Sequence, residues 1–356
     1  MLLCLAGAAT GGAQEVVWSL DFDSEFANRE GGDELRPDQT FLFARLAPEI
    51  GVQLGDKRSG IHTLKGGVSW YQPLNHDAAG AKVTPTLYYQ YSHKGFTTSV
   101  GMIPRSLMVE RAPRYLWSDS LAYRQPNVRG LLVQYRHRRS YAQLLLDWRQ
   151  QQADDRREAF NVLISGKAYF GDFWMGGHVQ YNHLAKSKLP VDGEGVNDDV
   201  CVNPMVGYDW RISPKASLKV KAGAIINLQR DRLADESWLT PCGFTADVLG
   251  RWKWLEAEQS IYAGKNLFPL WDKYGSMLNL GDTYYCSKFY SRTSLRAHIV
   301  QKRFVDLSAA LTFHATDKIT GFWQQITCRF YIDQNLWKHR RDKKYLRSGR
   351  MLQSNF

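Results

Sequence analysis

The sequence predicts an all-β fold, a transmembrane antiparallel β-barrel of about sixteen strands, on three observations. Polar and apolar residues alternate in segment after segment. The connections between segments are alternately very short and long. No apolar run approaches the roughly 18 residues that a membrane-spanning helix needs. Ser217–Ala224 shows the alternation clearly: Leu218, Val220, Ala222 and Ala224 share one parity, while Ser217, Lys219, Lys221 and Gly223 take the other. Side chains on a strand alternate faces, so this segment has one apolar and one polar surface. A closed barrel in an outer membrane needs many such strands, apolar toward lipid and polar toward a wet lumen. A soluble β-rich sandwich is the competing expectation, and it would have to bury the same apolar faces in a core.

Taken in order, the expected strands are Val16–Asn28, Thr40–Leu54, His62–Gln72, Lys82–His93, Phe96–Ile103, Arg129–His137, Ser140–Gln150 and Glu158–Phe170. They continue with Phe173–Lys186, Val200–Arg211, Ala216–Gln229, Cys242–Lys253, Leu255–Gly264, Tyr290–Gln301, Val305–His314 and Thr320–Ile332. After the even-numbered strands the chain turns within GDKRSG, KG, RR, GD, SPK, KW and KR. After most odd-numbered strands it runs through longer segments, notably 104–128, 187–199, 230–241 and 265–289. Short turns at one rim and long loops at the other are the habit of outer-membrane barrels. Parity puts Leu64, Val68, Trp70, Leu144, Leu146, Ile164, Leu311 and Phe313 outward. Trp18, Trp70, Tyr91, Trp148, Phe170, Trp210 and Trp252 fall near strand ends, as in an interfacial aromatic girdle.

Composition agrees. The chain has 356 residues, 44% hydrophobic and 13% aromatic, with a mean hydropathy of −0.41. That polar mean suits a barrel, in which every second residue is polar. Residues 1–14 (MLLCLAGAATGGAQ) read as a signal peptide, with an apolar stretch followed by small residues suited to cleavage. The barrel is assigned to 15–332 and a basic C-terminal tail to 333–356. That tail holds seven Lys/Arg against two Asp, a local +5 of the total +11. Without a nucleic-acid-binding module the charge does not point to nucleic acid. Cys201, Cys242, Cys286 and Cys328 lack metal-ligand spacing and read as scattered free thiols, with one loop disulfide as the alternative. Phosphate-cradling glycine loops and zinc or calcium signatures are absent, so no cofactor is expected.

Sixteen strands with a long connection after the fifth, PRSLMVERAPRYLWSDSLAYRQPNV (104–128), resemble the general and phosphate-selective porins of Gram-negative outer membranes. The resemblance is architectural. It implies an outer-membrane location, lipid around the wall, small hydrophilic solutes inside, and a fifth-strand loop folded into the lumen. The acidic PEFGG-type loop signature of trimeric general porins is missing here.

Function is then expected to lie in the charges that line the narrowest section, because a low-dielectric wall strengthens their effect on ions. The expected constriction is Arg105, Glu110, Arg111, Arg114, Asp119 and Arg124. The expected pore lining is Arg45, Lys65, Arg136, Arg149, Lys167, Lys219, Lys221, Arg251, Arg296 and Arg329. Inward acids nearly balance the wall cations, and the loop tilts the sum mildly toward anions. A passive channel is the primary expectation, and the chain is read as having no enzymatic activity. A receptor or lipid-modifying barrel is the alternative. Ser294 and His298 share an inward parity, as do His178 and His314, but no GxSxG-type nucleophile turn accompanies them.

Overall fold

The computed structural model describes residues 14–74, 80–234 and 237–336. The expected signal peptide, apart from Gln14, and the tail beyond Leu336 lie outside the described residues. Sixteen strands close into one antiparallel barrel in which each strand pairs with its chain neighbours. They are β1 (Glu15–Glu30), β2 (Gln39–Asp56), β3 (Gly60–Pro73), β4 (Lys82–His93), β5 (Phe96–Pro104), β6 (Asn127–His137), β7 (Ser140–Gln150) and β8 (Ala159–Phe170). The circuit continues through β9 (Phe173–Leu184), β10 (Asn197–Ser213), β11 (Ala216–Asp231), β12 (Cys242–Trp252), β13 (Leu255–Gly264), β14 (Phe289–Gln301), β15 (Val305–Thr316) and β16 (Thr320–Asp333). β1 and β16 meet along twelve register positions, from Ser19↔Asp333 to Glu30↔Phe322. The barrel has no free edge, so its backbone polar groups are paired within the wall as a bilayer demands.

The short-turn rim is built by local chemistry. Lys94 and Gly95 both adopt positive φ (45° and 84°), the twist that a two-residue antiparallel turn prefers. Arg138, Gly171 and Lys253 hold positive φ in the corresponding turns between β6 and β7, β8 and β9, and β12 and β13. On the outside, Leu64, Trp70, Val83, Leu87, Trp148, Ile164, Leu311 and Phe313 are exposed to the surroundings. In a membrane this band meets acyl chains, which accept it without the hydration cost it would bear in water. Parity assigned Leu64, Trp70, Ile164, Leu311 and Phe313 to the outside, and that is where they stand.

The apolar core lies inside the barrel and is supplied largely by two inserted loops. The first, residues 105–126, contributes Met108, Ala112, Tyr115, Leu116, Trp117 and Leu121, and ends in the short helix α1 (Leu121–Arg124). The second, residues 265–288, contributes Leu267, Phe268, Leu280, Tyr284 and Tyr285 and carries α2 (Trp271–Leu278). The loops are tied by two backbone hydrogen bonds, Ser118 N–H to Leu280 O and Asp282 N–H to Arg114 O, both 2.8 Å. Tyr284 stacks on Tyr290 of β14 at 4.8 Å and on His314 of β15 at 4.4 Å, fixing the second loop to the wall. Cys201, Cys242, Cys286 and Cys328 are free thiols.

Candidate functional site

Inside the lumen, the loop after β5 is held by ion pairs rather than left as a row of unpaired cations. Arg105 pairs with Asp147 of β7, and its guanidinium lies 4.5 Å from the Trp117 ring. Glu110 accepts from Lys167 of β8 at 2.6 Å. Arg111 and Arg114 both reach Asp119 at 3.1 Å. Arg114 also donates to Glu258 of β13 at 2.7 Å, and Arg292 of β14 approaches the other oxygen of that carboxylate at 2.8 Å. Burial opposes ionisation of Asp119, but Arg114, Arg111 and Arg292 outweigh it and hold the carboxyl well below the usual range. Burial likewise opposes ionisation of Glu110, and Lys167 overcomes it. Arg124 stands apart at the long-loop rim, where its carbonyl accepts from Lys82.

Two cavities flank this loop. One of about 640 Å³ opens toward the short-turn rim, and one of about 450 Å³ opens toward the long-loop rim. Arg29, Asp119 and Trp323 bound both, so these side chains form the partition between them. Arg29 stacks on Trp323 at 4.1 Å. Arg111, Arg114, Lys219, Arg251, Arg296 and Arg329 line the larger cavity. Other expected lining residues serve local pairs: Arg45 with Asp21 and Asp23, Lys65 with Glu49, and Lys221 with Asp247 at 3.6 Å. Arg149 binds the α2 carbonyls of Ser276 and Met277, both at 2.8 Å. Arg136 is exposed at the short-turn end of β6.

The outer wall carries a second constellation, which the sequence reading passed over. Tyr181 and His183 of β9 share the outward parity of Met175 and Val179. Asp198 of β10 shares the parity of Val200 and Val202, yet is only 1% exposed because its neighbours close over it. His183 Nδ1 lies 3.0 Å from Asp198 Oδ1, and Tyr181 Oη donates to the same oxygen at 2.8 Å. Arg230 and Arg232 donate to Oδ2 at 3.0 and 2.8 Å. Phe160 packs on His183 at 4.9 Å, and Trp238 covers Arg230 at 4.4 Å. This is a carboxylate-oriented imidazole with two guanidinium groups, on the outward side of the wall beside the long-loop rim. The expected strand boundaries hid it. Strands starting at Val200 and ending at Gln229 leave Asp198 and Arg230 in loops, without a face.

A profile of the lipid A 3′-O-deacylase-type family matches residues 13–269, more than half of the chain. The chain belongs to that family. The expectation of a barrel without enzymatic activity is therefore corrected, because the family is one of enzymes. A barrel can assemble an active site across neighbouring strands, with no local turn such as GxSxG to announce it. Comparison with curated proteins finds none that matches. Among solved structures, OpdL of Pseudomonas aeruginosa superposes with a TM-score of 0.56 at 9% identity, over 90% of this chain and 99% of that one. OprD of the same organism gives a TM-score of 0.55 at 6% identity, covering 90% and 96%. OpdK, solved with vanillate, gives 0.53 at 8% identity, covering 90% and 99%. At these identities the likeness is one of fold, a porin-type barrel of the outer membrane. The protein is an outer-membrane β-barrel, as the parity and loop pattern predict.

Proposed function

We propose that this family member hydrolyses an ester-linked acyl chain on a phosphorylated glycolipid of the outer leaflet, using the outer-wall constellation of Tyr181, His183, Asp198, Arg230 and Arg232. The observation that carries the reading is the His183–Asp198 pair on the lipid-facing wall, within the matched residues 13–269. Asp198 holds Nδ1–H and leaves Nε2 as the general base. A water gives its proton to Nε2, and its oxygen attacks the acyl carbonyl carbon. The ester C–O bond then breaks, and the alkoxide leaving group takes the proton back from His183. The products are a free fatty acid and a glycolipid hydroxyl. Arg230 and Arg232 supply positive charge for the lipid phosphate or for the developing oxyanion. Just below the cluster the wall is apolar (Val179, Val202, Ile226), so an acyl chain lies on it while the headgroup meets the cations.

The test is mass spectrometry of lipid A incubated with the purified barrel in mixed micelles. The expected result is loss of one acyl chain, slowed about 10²-fold or more in His183→Ala, the usual contribution of a general base. No deacylation by the unaltered protein overturns the reading, and full activity in His183→Ala removes this constellation from it.

A second reading, passage of small hydrophilic solutes with a mild anion preference, is supported by the charged cavity of about 640 Å³ at the periplasmic, short-turn end. On that reading Arg111 and Arg114 set the sign at the partition. Single-channel recording under a salt gradient tests it. Stable open steps with an anion-selective reversal potential are expected; a silent inserted barrel overturns it.

A further inference from the structure

At the periplasmic end of the lumen, on the opposite side of the wall from the lipid-facing cluster, β14 contains a bulge. Its register against β15 shifts between His298 and Val300: His298 faces Ser308, and Gln301 faces Asp306. Ile299 is the extra residue and points outward, 63% exposed. A bulge re-aims side chains, and here it turns both His298 and Gln301 into the lumen. Both then converge on Asp306. His298 Nδ1 lies 2.8 Å from Asp306 Oδ2, and Gln301 Nε2 donates to the same oxygen at 3.1 Å. Arg251 of β12 donates to Gln301 Oε1 at 2.6 Å, and Arg296 donates to Ser308 Oγ at 2.8 Å.

This arrangement has an unfilled demand. His298 is only 5% exposed, and its Nε2 has no hydrogen-bond partner although the residue borders the large cavity. With Nδ1–H committed to Asp306, the neutral imidazole presents Nε2 as an acceptor that a donor would satisfy. A buried polar atom left without a partner is destabilising, and a ligand that donates to it relieves that. The surroundings fix the rest of the ligand. Arg251 and Arg296 reach into the same cavity with Glu256 paired across the sheet to both. Lys219 and Arg329 lie on its wall, leaving cations in excess over Glu256 and Asp306.

We propose that this pocket binds a small oxyanion that still carries a hydroxyl. Its charged oxygens face Arg296 and Arg251, and its hydroxyl donates to His298 Nε2. The inference does not rest on the outer-wall reaction or on solute passage. Inorganic phosphate and sulfate are the discriminating probes: near pH 7 they are alike in size and charge, but only phosphate retains a hydroxyl.

Isothermal titration of the detergent-solubilised barrel with each anion tests the inference. Phosphate is expected to bind, and sulfate to bind several-fold to about tenfold more weakly, the difference worth one neutral hydrogen bond. His298→Ala should reduce phosphate to the affinity of sulfate, and Arg296→Gln should weaken both anions together. Heat-modifiable gel mobility establishes that each variant is folded, and Arg296→Gln supplies a test that does not depend on the His298 variant folding. The proposal is overturned if neither anion saturates the protein, if the two bind equally, or if folded His298→Ala keeps the preference for phosphate.

Discussion

At the scale of single residues, Glu258 carries more of the lumen than any parity argument suggests. Its carboxylate joins Arg114 of the inserted loop to Arg292 of the wall. Replacing it by Gln takes the paired carboxylate from the buried Arg292 and leaves Arg114 with Asp119, a loss of about 3 kcal/mol by analogy with other broken buried pairs. Urea unfolding in detergent should show that loss, and Glu258→Gln should open the larger cavity to protease from the periplasmic end. The sequence made the members of such pairs visible but not the pairings. Alternation put Arg296 and Arg251 on the inward side, and that much follows from a period of two. Which cation meets which acid depends on barrel stagger and loop path, neither of which is written locally. Arg105, Arg111 and Arg114, expected to tilt the pore toward anions, are each paired with a carboxylate.

At the scale of elements, turns and loops differ in what sets them. The β4–β5 turn is local: Gly95 has φ +84°, and a Cβ there would lie 2.3 Å from the Arg136 carbonyl oxygen. Gly95→Ala should therefore slow refolding and lower the thermal midpoint, as heat-modifiable mobility will report. The inserted loops are not local, since their anchors come from β7, β8, β13 and β14. Their length announced them, whereas their inward path was an expectation that came with resemblance. The loop after β5 also has a pH signature. Asp119 and Glu110 titrate below their ordinary values in the folded protein. Their contribution is thus complete above the unfolded carboxylate range, about pH 4, and is lost as pH falls through the lowered folded values. Exchange protection in residues 105–126, taken relative to the intrinsic rate at each pH, should be unchanged from neutral pH down to about pH 5 and fall only in stronger acid.

At the scale of the whole molecule, two loops occupy the lumen and Asp119, Arg29 and Trp323 divide it. Conductance through the unaltered barrel should accordingly be small. Replacing Arg111 and Arg114 together by Ala leaves Asp119 and Glu258 with Arg292 as their remaining close cation, so the reversal potential should move toward cation selectivity. No movement would place the ion path elsewhere. The wall divides the chemistry in the same way, with the His183–Asp198 pair facing lipid and the His298–Asp306 pair facing the lumen. Only the former lies within the residues that match the deacylase family.

The seam between β1 and β16 sets a condition on how the protein can be made. Trp18 N–H donates to the Gln334 side chain across 316 positions of sequence, and the intervening ladder joins the first strand to the last. Strands β2 to β15 can each find a partner soon after emerging, but β1 keeps one unsatisfied edge until β16 arrives. A chain that stops before Thr320 ends as a curled ribbon with two sticky margins, ready to pair with another chain or with itself out of register. The seam cannot close before the last strand is present, so until then the outer edge of the first strand has no partner within the wall.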